Sequence, residues 1–189
     1  MGYSDSNLSL EDEAEIVEKA REDDAAFEIL YSHYFPKIYG YIFKRVGNRE
    51  ETEDLVSTIF IKVFSNLDKY QRRDCKFSAW LYRIATNSLI DYYRKAGRKK
   101  EIGIEHVEDW PDLNDQPANE VMINEQSKEV QALIKKLPDR YQEVIQLKFF
   151  AQLDNQEIAE VMKVSVNNVG VLIHRSLEKF KQIHQKYGE

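Results

Sequence analysis

Apolar residues at helical spacing are the feature that most limits how this chain can fold. Between residues 77 and 95 they recur at i, i+3, i+4 and i+7, the pattern of a helix buried along one side. The residues of this stripe are Phe77, Trp80, Leu81, Ile84, Ala85, Ser88, Leu89 and Tyr92. No segment of the chain carries a strand pattern, and Gly and Pro number only 7 and 4, which disfavours turn-rich sheet. The sequence therefore predicts an all-α protein.

Further helices are predicted over residues 10–21, 25–46, 49–67, 127–137, 139–151, 154–162 and 166–186. Several of the predicted helix ends and interruptions coincide with residues that favour them. Pro36 predicts a kink or a split inside the second helix, and Gly47 with Asn48 predicts a helix end. Asp154 and Glu157 have the spacing of a capping box, and Ser165 is suited to cap the last helix.

Residues 97–126 lack a sustained period and contain the acidic run EHVEDWPDLNDQ. This composition predicts a flexible acidic linker. We therefore expect four parts: an N-terminal segment with a short helix (1–22), a helical domain (23–96), the linker (97–126) and a second helical domain (127–189). The last domain has the helix, short turn and helix of a helix-turn-helix, although an αα-hairpin without a DNA role has the same local pattern.

Charge is segregated along the chain, although the net charge is only −6. Residues 69–100 hold 10 basic and 2 acidic side chains, whereas residues 1–68 and 101–129 are each acidic. The exposed side of the 77–95 helix adds rings and an amide to this basic block, at Tyr82, Tyr93 and Asn87. Such a surface suits nucleic acid, because bases stack on rings and phosphates pair with cations. The alternative is an ordinary amphipathic helix with a solvated basic end.

Other classes of protein are disfavoured. Cys75 is the single cysteine, so no internal disulfide forms and a reducing compartment is expected. The four histidines are scattered and no glycine-rich phosphate loop occurs, so we expect no enzyme, no cofactor and no metal site. The N-terminus lacks a signal-peptide pattern and no stretch is long and apolar enough to span a membrane. A cytoplasmic protein is therefore expected.

Four stretches together resemble a bacterial sigma factor of the sigma-70 family, in its compact extracytoplasmic-function (ECF) group. They are DDAAFEILYSHYFPKIYGYI (23–42), EDLVSTIFIKVF (53–64), FSAWLYRIATNSLIDYYRK (77–95) and the helical segments of 137–180. The first three resemble family region 2, and the last resembles region 4. The resemblance covers roughly residues 10–95 and 128–182. It implies a subunit that binds core RNA polymerase, recognises promoter −10 and −35 elements and helps to open DNA. A stand-alone helix-turn-helix regulator is the alternative.

The resemblance also implies site residues. Polymerase binding is expected from Glu53, Asp54, Ser57, Thr58, Ile61 and Lys62. Binding of −10 DNA is expected from Arg72, Arg73, Lys76, Tyr82, Arg83, Asn87, Arg94, Lys95 and Arg98. Binding of −35 DNA is expected from Ser165, Asn167, Asn168, Gly170, Val171, His174, Arg175 and Lys179. The implied partners are the β′ clamp and β flap of core polymerase, promoter DNA and an anti-sigma factor.

The chain departs from the family pattern at two places. Gly170 and Leu172 stand where the recognition helix of the family is usually rich in arginine, which removes cations from the expected −35 surface. Ser57 and Thr58 replace longer polar residues in the expected clamp-binding helix. Trp80 lies on the inward stripe of its helix and is expected to be structural, whereas Tyr82 and Tyr93 are the stacking candidates.

Overall fold

The computed structural model describes residues 10–73, 75–95 and 125–187, and the regular elements in these ranges are all helical. The first domain comprises α1 (Leu10–Lys19), α2 (Asp24–Val46), α3 (Arg49–Asn66), a 3₁₀ turn (Leu67–Lys69) and α4 (Phe77–Lys95). The second comprises α5 (Glu125–Lys135), α6 (Asp139–Ile145), a π-helical segment (Gln146–Phe150), α7 (Asn155–Met162) and α8 (Val166–Tyr187). The predicted all-α class with two helical domains is confirmed. The predicted domain limits stay a prediction, and nearly all of the predicted linker lies outside the described residues.

The junction of α2 and α3 shows how local chemistry sets helix ends. Asp23 begins α2 by accepting a hydrogen bond from the backbone N–H of Ala25 at 2.9 Å. Gly47 ends it with φ of +75°, a left-handed conformation that glycine adopts without strain. Asn48 then caps α3 through a 3.0 Å bond from the N–H of Glu51. The helix end predicted at Gly47 is confirmed.

Pro36 does not split α2, which runs unbroken from Asp24 to Val46. Proline removes one backbone hydrogen bond, which disfavours a helix interior. Buried side chains on both sides of it, Tyr34 and Ile38, anchor the helix to the domain core. Tertiary packing therefore outweighs the local break that the sequence predicted.

The core of the first domain forms where α2, α3 and α4 pack together. Trp80 lies in this core, with the rings of Tyr70 and Phe77 at centroid distances of 5.3 and 5.7 Å. The hydroxyl of Tyr70 donates to the carbonyl of Cys75, which ties the loop before α4 to the 3₁₀ turn. The structural role expected for Trp80 is thereby confirmed.

The helix-turn-helix of the second domain is built as its sequence predicts. The Asp154 side chain accepts from the N–H of Glu157, and the Glu157 side chain accepts from the N–H of Asp154, so the capping box is confirmed. Lys163 makes the turn in a left-handed conformation, with φ of 54°. Ser165 then caps α8 through a bond from the N–H of Asn168. The predicted helix over 139–151 is α-helical only to Ile145 and continues as a π segment.

The two domains contact each other through α4 and α7. At one end of the contact, the Lys76 ammonium lies 2.6 Å from the Asp154 carboxylate, and Ser78 donates to Glu157. At the other end, Arg45 donates to the Gln146 side chain at 2.5 Å. The second side of α4 is therefore covered by the second domain, a burial that no local pattern in the sequence indicated.

Candidate nucleic-acid and polymerase-binding surfaces

A groove of about 340 Å³ lies between α3 and α4. Its lining combines cations, amides and apolar side chains: Lys62, Asn66, Lys69, Trp80, Ile84, Asn87 and Ser88. The α4 residues follow helical spacing, so one side of α4 forms one wall of the groove. The ring of Trp80 thus belongs to the core and also borders this groove.

Hydrogen bonds hold the cations of the groove in place. The Lys62 ammonium donates to the Ser88 hydroxyl at 2.8 Å, and Lys69 donates to the Asn66 side-chain oxygen at 2.9 Å. The Asn66 amide donates to the carbonyl of Lys62 at 2.8 Å. Asn87 is exposed at the groove. Cations, an amide edge and an aromatic ring are thus together in one concave surface.

Lys62, which is expected to bind polymerase, lies at the groove and not on the exposed face of α3. Its ammonium is directed across the groove to α4 and its side chain is half-buried. The family resemblance alone placed Lys62 among the polymerase-binding residues of α3. The partner that redirects it, Ser88, comes from α4, so the local sequence of α3 carried no sign of this contact.

A smaller pocket, about 150 Å³, brings together two of the expected −10 residues, Arg72 and Lys76. Glu13 and Tyr70 also line it. Burial raises the pKa of the Glu13 carboxyl, while the hydrogen bond that Tyr34 donates to it acts in the opposite direction. Lys76 is also ion-paired with Asp154, so this cation is already partly neutralised within the chain.

Tyr82, one of the two expected stacking residues, is only 1% exposed in this structure. Its ring packs edge-on against Tyr41 at 5.4 Å, and burial raises the pKa of its phenol, with a further contribution from Glu157 of α7. Arg83 is half-buried. Burial raises the pKa of the Glu160 carboxyl in α7, and the charge of Arg83 partly offsets this rise. Tyr82 and Arg83 both lie on the side of α4 that α7 covers.

The basic end of α4 remains accessible. Arg94 and Lys95 are exposed, and Arg94 pairs with Asp91 at 3.0 Å. Tyr93, the other stacking candidate, is half-buried and donates its hydroxyl to the carbonyl of Arg45. Arg98 lies outside the described residues.

An exposed face of α3 carries four of the expected polymerase-binding residues at i, i+3, i+4 and i+7: Asp54, Ser57, Thr58 and Ile61. Ile61 is 66% exposed, and Phe64 is 49% exposed with its ring against Phe27 at 4.9 Å. Glu53 is exposed beside this face and pairs with Arg49 at 2.8 Å. An exposed apolar pair among polar side chains is typical of a docking surface.

The eight residues expected to bind −35 DNA are all exposed, on α8 and the turn before it. Their surroundings differ. The Ser165 hydroxyl caps α8, His174 lies 3.6 Å from Glu178, and Lys179 donates to Gln182. Gly170 has open space around it, because a Cβ added there would meet no atom within 4 Å.

Sequence reasoning missed five lining residues of the groove, namely Asn66, Lys69, Trp80, Ile84 and Ser88. The charge of Lys69, which belongs to the basic block, could have indicated its role. Ile84 and Ser88 were assigned to the apolar stripe of their helix and were therefore expected to be structural. Within the described ranges no cluster of three or more acidic, histidine or cysteine side chains is arranged to hold a metal ion. No helix in those ranges is long and apolar enough to cross a membrane.

Comparison with known proteins relates both domains to a single family. Residues 30–99 match the Sigma-70 region 2 family model, and residues 127–180 match Sigma-70, region 4. The chain is 34% identical over 168 residues to the ECF RNA polymerase sigma factor SigW of Bacillus subtilis. The matched region covers 85% of this chain and 89% of SigW.

Two solved structures have the same fold. CnrH, in complex with the cytosolic domain of CnrY, has a TM-score of 0.71 at 20% identity, with 93% of this chain and 99% of CnrH covered. The sigma factor RpoE of Bartonella quintana, in complex with the anti-sigma factor NepR, has a TM-score of 0.65 at 17% identity, with 86% and 98% covered. The two family models and the likeness to SigW show that this chain belongs to the sigma-70 family of RNA polymerase sigma factors, in its ECF group.

Proposed function

We propose that this chain is a promoter-specificity subunit that binds core RNA polymerase, recognises −10 and −35 elements and holds the opened promoter strand in the groove between α3 and α4. The observation that carries the assignment of the −10 site is the meeting of Lys62, Trp80 and Asn87 in that groove. The subunit has no catalytic step of its own, and it acts in the cytoplasm, where transcription takes place.

The groove has the size and chemistry for an unstacked base. Its volume of about 340 Å³ suits a single nucleobase with part of its sugar. Extruding a base costs a few kcal/mol, and stacking on an aromatic ring returns about 1–3 kcal/mol per base. The largely buried ring of Trp80 gives the groove an apolar border, Asn87 offers an amide to a base edge, and Lys62 and Lys69 supply positive charge for the backbone.

Polymerase docking is assigned to the exposed face of α3. The β′ clamp would pack on Ile61 and Phe64, with Asp54, Ser57 and Thr58 as the polar surround. A central apolar anchor with a polar rim is the usual anatomy of a protein interface. The second domain would contact the β flap and place α8 in the major groove at −35, where Asn167, Asn168 and Arg175 are able to reach base edges.

An anti-sigma factor is the remaining proposed partner. RpoE, which shares this fold, was solved in complex with the anti-sigma factor NepR, and CnrH was solved in complex with the cytosolic domain of CnrY. The same exposed α3 face is a suitable target, because a partner that covers Ile61 and Phe64 would exclude polymerase from this chain.

The test combines core polymerase with a groove variant. Asn87→Ala is expected to keep co-elution with core polymerase but to lower open-complex formation at a cognate promoter, measured by permanganate reactivity of unpaired thymines. One lost base-edge contact worth about 1–3 kcal/mol corresponds to a decrease of roughly 5- to 150-fold. Gln185→Ala, which removes an exposed amide far along α8, is the matched control and should behave as the unaltered chain.

Two outcomes would contradict the proposal. If Asn87→Ala and the control open the promoter equally well, the groove does not take part in −10 recognition. Failure of the folded chain to bind core polymerase, with duplex DNA binding retained, would favour the stand-alone helix-turn-helix regulator.

A further inference from the structure

The first two turns of α8 carry no charge. Residues 166–173, with the sequence VNNVGVLI, contain neither lysine nor arginine, and Arg175 is the single arginine of the whole helix. In a helix-turn-helix, the residues near the start of the second helix contact base edges in the major groove. Guanine is usually read there by a bidentate arginine or by lysine. The start of α8 therefore lacks the groups that select guanine.

The side of α8 opposite its buried stripe holds an apolar group outward. The stripe passes through Val169 and Ser176, which are both 0% exposed. Opposite it, at helical spacing, lie four exposed residues: Asn167, Gly170, Val171 and His174. Val171 is 46% exposed, although burial of its isopropyl group would be favourable in water. This face thus presents an amide and an isopropyl group in its first two turns.

Gly170 allows this face to approach DNA closely. A Cβ added there would meet no atom within 4 Å, so packing among the described residues does not require glycine at this position. A bare backbone leaves room beside Val171 for the floor of a groove. The neighbouring ring of His174 pairs within the helix, 3.6 Å from the Glu178 carboxylate. Val171 is therefore the prominent side chain at the centre of the face.

Thymine is the base that matches such a face. Its C5-methyl group is the only methyl group that the four bases present in the major groove, and its partner adenine presents the edge that an asparagine amide recognises. Asn167 and Val171 are four residues apart, about 6 Å along the helix axis, which is close to two base-pair steps of about 3.4 Å. The two side chains can therefore contact adenine and thymine on neighbouring base pairs.

We propose that Val171 is a specificity-determining residue for the −35 element, and that it selects thymine by packing its isopropyl group on the C5-methyl group, beside an adenine bound by Asn167. The proposal rests on the promoter-binding function assigned above. Under the start of α8 the −35 element accordingly consists of A·T pairs, with guanine confined to the position that Arg175 reaches.

Replacement of thymine by deoxyuridine tests this contact, because it deletes the methyl group and keeps every hydrogen bond of the base pair. The probe is selected from duplexes randomised at −35 and −10, by binding to holoenzyme assembled from core RNA polymerase and the unaltered chain. Each thymine of the selected −35 element is then replaced in turn, and holoenzyme affinity is measured by fluorescence anisotropy. At one position the replacement is expected to weaken binding roughly fourfold, the loss expected for one buried methyl group.

Val171→Ala is the matching protein variant, because alanine favours a helix and position 171 is exposed. Its holoenzyme is expected to bind the thymine and deoxyuridine probes equally. Leu177→Ala truncates another α8 side chain of similar exposure, 45%, and should keep the roughly fourfold preference for thymine.

Two outcomes of this comparison would overturn the proposal. One is a preference for thymine that persists in Val171→Ala, as expected if the Val171 side chain contacts polymerase instead of DNA. The other is a selected −35 element in which no thymine is sensitive to the replacement. If the unaltered holoenzyme enriches no sequence at all, the proposed function itself fails, and the role of Val171 falls with it.

A change of specificity is a second, independent readout. In Val171→Arg a guanidinium group replaces the isopropyl group, so the same selection is expected to recover guanine where the unaltered chain selects thymine. Val171→Thr retains one methyl group and should keep thymine. Retention of thymine by Val171→Arg would assign the reading of this base to another residue and overturn the proposal.

Discussion

Tyr82→Phe is expected to stabilise the protein, although it removes a polar group. The phenol oxygen of Tyr82 is buried and has no hydrogen-bond partner among the described residues. In the unfolded chain the same hydroxyl is hydrated, and burying it unpaired costs about 1–3 kcal/mol. Phenylalanine keeps the edge-on packing against Tyr41 and loses only the oxygen. Allowing for the small void left behind, we expect the free energy of unfolding to rise by about 1 kcal/mol.

Urea unfolding followed by circular dichroism at pH 7 measures the change, and a thermal scan should show the midpoint rising by about 2–4 °C. Tyr34→Phe is the matched control, because its hydroxyl donates to the buried carboxylate of Glu13. Removing that donor leaves a buried acceptor unpaired and should lower the free energy of unfolding by about 1–3 kcal/mol. If both substitutions destabilise the chain, the Tyr82 hydroxyl has a partner and the reasoning is refuted.

Two further predictions concern α8 and the Glu13 pocket. Gly170→Ala should raise the free energy of unfolding by about 0.5–1 kcal/mol, because alanine loses less backbone entropy in a helix and the added Cβ meets no neighbour within 4 Å; a lowered thermal midpoint would contradict this. Burial raises the pKa of Glu13 above its ordinary value of 4.5, so the folded state holds its proton more tightly than the unfolded state. The stability that this adds is complete below pH 4.5 and is lost as pH rises through the raised pKa. Urea titrations between pH 4 and 7 should therefore show a steeper loss of stability in the unaltered chain than in Glu13→Gln, and equal slopes would exclude Glu13 as the cause.

Local periodicity predicted the helices well and their packing partners poorly. The start of α4 was predicted to the residue, because its apolar stripe begins at Phe77. The capping box at Asp154 was also predicted correctly, because both of its hydrogen bonds form within four residues of the sequence. These features depend only on neighbours in the sequence.

The surroundings of Tyr82 and Lys62 were not predicted, for the opposite reason. Tyr82 lies off the apolar stripe of α4, yet it is buried, with its ring against Tyr41 of α2. Lys62 lies among exposed α3 residues but reaches Ser88 in another helix. Pro36 shows the same limit, because the continuity of α2 depends on contacts outside the local sequence. Such contacts form between distant parts of the chain, which hydrophobic spacing does not record.

The capping box of α7 also constrains how this protein can evolve. Asp154 and Glu157 satisfy the first backbone N–H groups of α7, and the same two carboxylates bind Lys76 and Ser78 of the other domain. A substitution at either acidic position therefore changes the stability of the helix and the strength of the domain contact together. Changes at Lys76 or Ser78 alter the contact while leaving the cap intact. Natural variation in the strength of the contact should accordingly accumulate on the α4 side, with the acidic pair retained.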